Sequence, residues 1–212
     1  MEPEFRAFLP CSLAELPAAA LALLYQHLDI KPSAPAKART DAYALCGSPR
    51  LGLKQRSVGA GDGAQHPWEL KVSLAAHEDC SETLEKFELE PGSAFSEEFL
   101  PLTKEERATL AAAAAQPAST RALVAKRRQQ GKRSCSELVD LQLTLGGARH
   151  ALPYVSFCLE EAEAQRRGGA LLQALQALQP EARWHVVSYA GWLEAAAAAA
   201  RAPPPPGAAE QH

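Results

Sequence analysis

Charged residues alternate with apolar residues in several short segments of this sequence, and the stretch WELK is one example. In a β-strand, Trp68 and Leu70 would lie on one face. Glu69 and Lys71 would lie on the other face. Lysine and arginine bind phosphate oxygens, whereas carboxylates bind Mg²⁺. Strands that bring both kinds of side chain together would therefore suit a polyphosphate and its metal ion.

The same alternation recurs in five other segments. Their polar faces would carry Glu2, Glu4 and Arg6 near the start, Lys54 and Arg56 in LGLKQR, Lys86, Glu88 and Glu90 in LEKFELE, Asp140 and Gln142 in ELVDLQL, and Ser156, Cys158 and Glu160 in PYVSFCLEE. One explanation is an antiparallel sheet with one face in the core and the other in water. The other explanation is a closed barrel whose apolar faces pack outward against helices while the charged faces line a channel. The pattern alone leaves both open.

Strand and helix signals indicate an antiparallel α+β fold. Strands are expected over residues 2–9, 50–56, 68–73, 84–90, 122–128, 137–144 and 151–160, with a hairpin turn at LGGARH between the last two. Helices are expected over 12–28, from Thr103, over 170–178 and over 184–200, the first two beginning with capping boxes. Because strands and helices do not alternate regularly, an antiparallel sheet or barrel is favoured over a doubly wound sheet.

Composition gives no reason to expect a nucleic acid or a membrane as partner. The 212 residues include 25 acidic and 22 basic side chains, and the net charge is −3. The basic run RALVAKRRQQGKR contains no aromatic residue on which a base would stack. The N-terminus lacks the features of a signal peptide, and the apolar run from Leu16 to Leu28 is too short to cross a bilayer.

Five cysteines without a C-x-x-C pair indicate reduced thiols in the cytosol. We expect a soluble cytoplasmic monomer with one domain over residues 1–200. The Pro/Ala-rich segment 201–212 is expected to be a disordered tail, since it has no apolar surface to bury.

Several common functional motifs are absent. GSPRLGLKQ lacks the G-K-[ST] ending of a phosphate-binding loop, and HEDC has no second ligand pair at zinc spacing. Neither the G-x-S-x-G elbow nor the H-E-x-x-H helix occurs.

The order of the charged segments resembles the CYTH superfamily, the triphosphate tunnel enzymes, and within it most closely animal thiamine triphosphatase. E-x-E-x-R near the start is followed by L-K-Q-R, W-E-L-K, K-R, V-D-L and a late carboxylate strand. The likeness spans Glu2 to about Tyr189. It implies an antiparallel eight-stranded closed barrel flanked by helices. It also implies binding of a small-molecule triphosphate, thiamine triphosphate or another organic or inorganic one, and its hydrolysis with Mg²⁺ or Mn²⁺.

The resemblance also assigns roles to matching residues. The residues that would hold the metal ion are Glu2, Glu4, Asp140 and Glu160. The residues that would bind phosphate are Arg6, Lys54, Arg56, Lys71, Lys126, Arg127 and His185. The residues that would act in catalysis are Lys71 and Glu160. Alternation along the strand would equally point Lys126 and Arg128 inward. Glu160 is assigned to the tunnel because it shares a strand face with Ser156 and Cys158. If the inward face were shifted by one residue, Phe157 and Leu159 would point into the tunnel instead.

Three residues depart from the family pattern. Gln142 and Cys158 stand where the family has carboxylates, and His185 stands near a family lysine. Because the first two replacements remove negative charge, phosphate binding is better supported than metal-assisted hydrolysis. The alternative function is that of a catalytically degraded member, which keeps the barrel as a phosphate-binding or protein-interaction module.

Overall fold

The alternating segments form strands because alternation gives each strand one apolar face to bury. The computed structural model describes residues 3–57, 67–76, 82–89, 100–132, 135–145, 148–160 and 164–201. Its strands are β1 (Pro3–Leu9), β2 (Lys37–Ala44), β3 (Leu51–Ser57), β4 (Trp68–Ala76), β5 (Glu82–Leu89), β6 (Ala122–Gln130), β7 (Ser136–Leu145), β8 (Ala148–Glu160) and β9 (His185–Val186). Its α-helices are α1 (Ala18–His27), α2 (Lys104–Ala115), α3 (Ala164–Leu178) and α4 (Tyr189–Arg201).

Eight of the strands form a closed antiparallel barrel flanked by the four helices, as the resemblance implied. Neighbouring strands pair in the order β1, β5, β4, β3, β2, β6, β7, β8 and back to β1. The ring closes at β1, which pairs with β8 from Glu4 to Leu9 and with β5 at Pro3 and Glu4. The short strand β9 pairs with the other end of β1, at Ala7 and Phe8.

The outward faces of the strands are apolar and covered by helices. Phe5 and Phe157 are fully buried against Leu24 of α1 and Leu171 of α3. A second cluster joins β3 and β4 to the helix α2 and contains Leu53, Leu70, Val72, Leu110 and Ala113. Burying one such side chain contributes roughly 1.5–3 kcal/mol, so these two layers supply much of the force that holds the barrel together.

The inside of the barrel is apolar at one end, where α4 packs across it. Phe8, Tyr43 and Val139 belong to a buried cluster with Trp192 of α4. The Phe8 and Trp192 rings stack with centroids 4.8 Å apart, and the Tyr43 and Tyr189 rings stack at 5.1 Å. Aromatic packing of this kind fixes α4 against the barrel.

Every strand predicted from alternation is present, within a few residues at each end. The capping box of Thr103 and Glu106 begins α2 as expected. The helix expected over 12–28 is divided: Ser12 and Glu15 cap a 3₁₀ turn, Leu13–Glu15, and α1 starts only after Pro17. Proline lacks an N–H to continue the turn but favours a helix start.

Two strands, β2 and β9, were not predicted. The sequence of β2, KARTDAYA, alternates three charged residues and a tyrosine with alanine and threonine, and alanine has a low preference for strands. The strand β9 is only two residues long and precedes a helix that was expected to begin at Trp184.

Some predicted features lie outside the described residues: Glu2, Glu90, the loop residues 58–66, the HEDC segment, the turn residues 146–147 and the tail from residue 202 onward. Arg201 still belongs to α4. Within the described part of the chain, no helix combines the length and apolar character that crossing a membrane requires.

We predict opposite effects of alanine at two neighbouring glycines of α3. A Cβ atom at Gly168 would clash with the ring of Phe5 in β1, whereas one at Gly169 would meet no atom within 4 Å. Gly168→Ala should lower the free energy of unfolding by about 1–3 kcal/mol. Gly169→Ala should raise it by ~0.5–1 kcal/mol, since alanine is the better helix former. Urea unfolding of both variants tests this. Equal effects would show that α3 does not pack on β1 as described.

Candidate functional site

A cavity of about 250 Å³ lies inside the barrel, and its walls are strongly basic. The basic side chains on the lining are Arg6, Arg39, Arg50, Lys54, Arg56, Lys71, Lys86, Lys126 and Arg128. The acidic side chains on the lining are Glu69, Glu82, Glu137 and Glu160. Glu4 and Asp41 are buried beside them, at 6% and 0% exposure. Arg50 borders the cavity, but its guanidinium pairs with Glu106 of α2 and donates to the Pro101 carbonyl. Among the described residues, eight basic groups therefore face six acidic ones, although the whole chain has a net charge of −3.

Arg6 is the centre of the largest ion-pair cluster. Its Nε lies 2.8 Å from Glu4 Oε1, and its Nη2 lies 2.8 Å from Glu137 Oε1 and 4.0 Å from Glu160 Oε1. The second oxygen of Glu4 accepts a hydrogen bond from Lys71 Nζ at 2.9 Å. Strand pairing of β1 with β8 places Glu4 opposite Glu160. The cluster joins side chains of β1, β4, β7 and β8.

These contacts shift the pKa values of the carboxyl groups in different directions. Burial alone would raise the pKa of Glu4, but the charges of Arg6 and Lys71 hold it well below its usual range. The pKa of Glu137 is likewise lowered against burial by Arg6 and Arg128. The pKa of Glu160 is raised by burial and by the charge of Glu4. Glu4 and Glu137 are thus firmly ionised.

A second cluster surrounds Glu69 of β4. Its Oε1 lies 2.6 Å from Lys54 Nζ, and its Oε2 lies 2.9 Å from Arg56 Nη2 and 3.3 Å from Lys86 Nζ. Burial opposes ionisation of Glu69, yet these cations lower its pKa to about 2. Lys54 is buried, whereas Arg56 and Lys86 are 48% and 43% exposed. The cluster therefore connects the cavity to solvent.

A third cluster lies toward the aromatic end of the barrel. Asp41 pairs with Arg39 at 3.1 Å and with Lys126 at 2.7 Å. Lys126 Nζ also donates to Tyr43 Oη at 2.8 Å and lies 4.2 Å from the centre of the Tyr189 ring. Burial, with Lys54 and Arg39 nearby, lowers the pKa of Lys126 to about 7, although Asp41 opposes this shift.

The structure brings together seven of the predicted site residues: Glu4, Arg6, Lys54, Arg56, Lys71, Lys126 and Glu160. Cys158 also faces inward, opposite Arg6 in the pairing of β1 with β8. Phe157 and Leu159 lie in the outer core, so the choice of Glu160 over its neighbours gave the correct face of β8.

Asp140 does not face the cavity, which corrects the expectation that it lies among the metal ligands. Its Oδ1 accepts a hydrogen bond from the Leu13 N–H at 3.2 Å, at the start of the 3₁₀ turn outside the barrel. Glu137 and Val139 line the cavity instead. Alternation was misread on β7 because its inner face is apolar near the closed end, where Val139 and Leu141 pack in the cluster with Trp192.

Arg127 and His185 also lie away from the cavity lining. Arg127 is exposed and pairs in register with Asp140, whereas Lys126 and Arg128 line the cavity. Alternation along β6 was therefore the better guide than the adjacent basic pair. His185 is exposed on β9. Gln142 is exposed too, so this departure from the family pattern removes no charge from the cavity.

Sequence reasoning missed several lining groups. Arg39 and Asp41 lie on the unpredicted strand β2, and the K-x-R-x-D spacing of that segment was the available signal. Glu137 was missed because Asp140 was assigned in its place. Tyr43 and Tyr189 are separated by most of the chain, and no local pattern predicts their stacking.

The described acidic groups do not fit Mg²⁺ or Mn²⁺ well. The ligand atoms of Glu4, Cys158 and Glu160 lie within 4.8 Å of one another, but both oxygens of Glu4 already contact basic side chains. Burial raises the pKa of the Cys158 thiol well above its usual value. A neutral thiol is a poor ligand for hard cations, which prefer oxygen. Of these three groups, only Glu160 retains a largely uncommitted carboxylate.

Because the pKa of Lys126 is lowered to about 7, we predict a pH-dependent contribution to stability. Between pH 7 and 9 the unfolded chain keeps a proton that the folded chain loses, so stability should rise with pH. The slope from this group reaches at most ~1.4 kcal/mol per pH unit. Lys126→Arg, which cannot deprotonate in this range, should lose that rise. Urea unfolding at pH 7, 8 and 9 measures it, and parallel curves for the two proteins would contradict the prediction.

No protein-family model and no curated protein matches this sequence. Among solved structures, the PH1819 protein of Pyrococcus horikoshii OT3 is 9% identical, with a TM-score of 0.46 over 90% of this chain and 97% of its own. A Bacillus halodurans protein described as a "putative adenylate cyclase" is 13% identical, with a TM-score of 0.37 over 84% of this chain and 91% of its own. The assignment of a closed barrel therefore rests on the strand pairing itself.

Proposed function

We propose that this protein binds a small molecule bearing a triphosphate inside the barrel, in the manner of the CYTH proteins that its sequence resembles. The observation that carries the proposal is the convergence of eight basic side chains on one cavity, against six acidic ones among the described residues. A surplus of positive charge inside a closed barrel attracts a polyanion that enters it. Thiamine triphosphate and inorganic triphosphate are the ligands that the resemblance implies.

The arrangement of the cations supports a ligand that enters from one side. Arg56 and Lys86 are partly exposed and would meet the ligand first. Lys54 and Lys126 are buried deeper, where charges are less screened by solvent. The stacked Tyr43 and the helix α4 limit how far a phosphate chain extends inward.

Binding fits the described residues better than metal-dependent hydrolysis does. Hydrolysis with Mg²⁺ or Mn²⁺ requires carboxylates that are available to the ion, and Glu4 is committed to Arg6 and Lys71. Asp140, the other expected ligand, is on the outer face. The interior position of the charges also favours a small ligand over a protein partner, which would need an exposed surface.

We predict that inorganic tripolyphosphate binds and that two neighbouring arginines of β6 contribute very differently. Arg128→Gln should weaken binding roughly 10- to 100-fold, since a charge-assisted hydrogen bond contributes ~1.5–3 kcal/mol. Arg127→Gln removes the same charge from the outer face and should leave the affinity nearly unchanged. Isothermal titration calorimetry at fixed ionic strength measures both.

Orthophosphate at equal ionic strength serves as the ligand control, because one phosphate contacts too few of the cations to bind comparably. Similar losses of affinity in the two variants would place the site elsewhere. A protein that responds to no triphosphate would overturn the proposed function.

A further inference from the structure

We propose that Arg6 is a built-in counter-ion which takes the place of a divalent cation, so that the cavity binds its polyphosphate ligand as the metal-free anion. This inference rests on the proposed function and adds the ionic form in which the ligand is recognised. Its basis is the position of the Arg6 guanidinium among Glu4, Glu137 and Glu160.

Arg6 satisfies the carboxylates that a metal ion would otherwise use. Its two contacts of 2.8 Å go to Glu4 and Glu137, which lie on different strands. A planar guanidinium presents its donors in fixed directions, so it can hold two carboxylates at once. Arg6 itself is only 6% exposed and lies 5.4 Å from the centre of the Tyr189 ring. Its position is therefore fixed by contacts on several sides.

Apart from Glu82, which lines the cavity and forms no ion pair with another described residue, the other buried carboxylates near the cavity are committed in the same way. Each oxygen of Glu137 contacts an arginine, Arg6 at 2.8 Å and Arg128 at 2.7 Å. Both oxygens of Glu69 and both oxygens of Asp41 contact lysine or arginine as well. A divalent cation would have to displace these fixed positive charges, and it would also be repelled by them across a medium of low dielectric constant.

Ligand binding does not release the Arg6 contacts. A phosphate that drew Lys71 away from Glu4 would free only one oxygen of that carboxylate, Oε2. The other oxygen would remain paired with Arg6, whose charge would still oppose a metal ion there. Mg²⁺ should therefore act on the ligand in solution, by chelating the phosphates, and compete with the protein for it.

The first test compares tripolyphosphate binding to the full chain in EDTA and in excess MgCl₂ at constant ionic strength. Titration calorimetry should give binding in EDTA and an apparent Kd that weakens as Mg²⁺ is raised, by about tenfold at the concentration that chelates ~90% of the ligand. Binding that appears only with Mg²⁺, or becomes tighter with it, would overturn the inference while leaving the proposed function intact. Absence of binding under both conditions would overturn the proposed function and this inference with it.

The second test measures Mn²⁺ binding directly, by electron paramagnetic resonance, without any phosphate. The wild-type protein should show no tight Mn²⁺ site. Arg6→Gln removes the charge shared by Glu4, Glu137 and Glu160 and should create one. The control Arg183→Gln removes an exposed arginine and should behave like wild type.

Tight Mn²⁺ binding by the wild-type protein, or its absence from a folded Arg6→Gln variant, would count against the proposal. If Arg6→Gln does not fold, the wild-type Mn²⁺ measurement and the comparison of EDTA with Mg²⁺ still decide the question.

Discussion

Compensation of buried charge is the constraint on which this barrel depends. Moving a carboxylate or an ammonium group out of water costs several kcal/mol, and only a close partner of opposite charge offsets that cost. Most of the pairs join neighbouring strands, but two skip a strand: Arg6 of β1 reaches Glu137 of β7, and Lys71 of β4 reaches Glu4 of β1. The Lys71–Glu4 pair spans the contact of β5 with β1 that closes the ring, so it depends on closure. Closure of the ring and this ion pair therefore support each other.

Apolar packing determines where the charged interior ends. Along β7 the inner face begins with Glu137 and continues with Val139 and Leu141, which pack with Trp192 of α4. If charged side chains lined the whole length of the barrel, each of them would need a buried partner of opposite charge. Aromatic and aliphatic side chains at one end avoid the cost of burying further charges. The charged compartment is therefore smaller, and it ends at the apolar cluster that contains Trp192 of α4.

Alternation in the sequence predicted most of the fold and much of the site, because it shows which residues share a face of a strand. It correctly placed Lys54, Lys71 and Glu160 on the inner face. It cannot show which face is the inside when both carry polar residues. On β7, the polar residue Asp140 lies on the outer face, where it accepts a hydrogen bond from the N-terminus of a 3₁₀ turn. On β6, the charged residue Arg127 likewise lies on the outer face, where it is exposed to solvent. Pairing across the interior involves residues far apart in the sequence, so it was not predictable from local patterns.

For the proposed triphosphate ligand, the ion pairs give a physical reason why a partly neutralised cavity would favour a multivalent anion over a single phosphate. A phosphate oxygen that binds Lys54 must replace or share the contact with Glu69. One phosphate gains little from such an exchange, since the lysine is already paired. A chain of phosphates makes several exchanges at once after a single loss of translational freedom, so its contacts reinforce one another. Under the proposed function, the carboxylates that stabilise the barrel would set a threshold that small anions do not reach. Arg6, held by two of these carboxylates, would contribute its charge without being displaced.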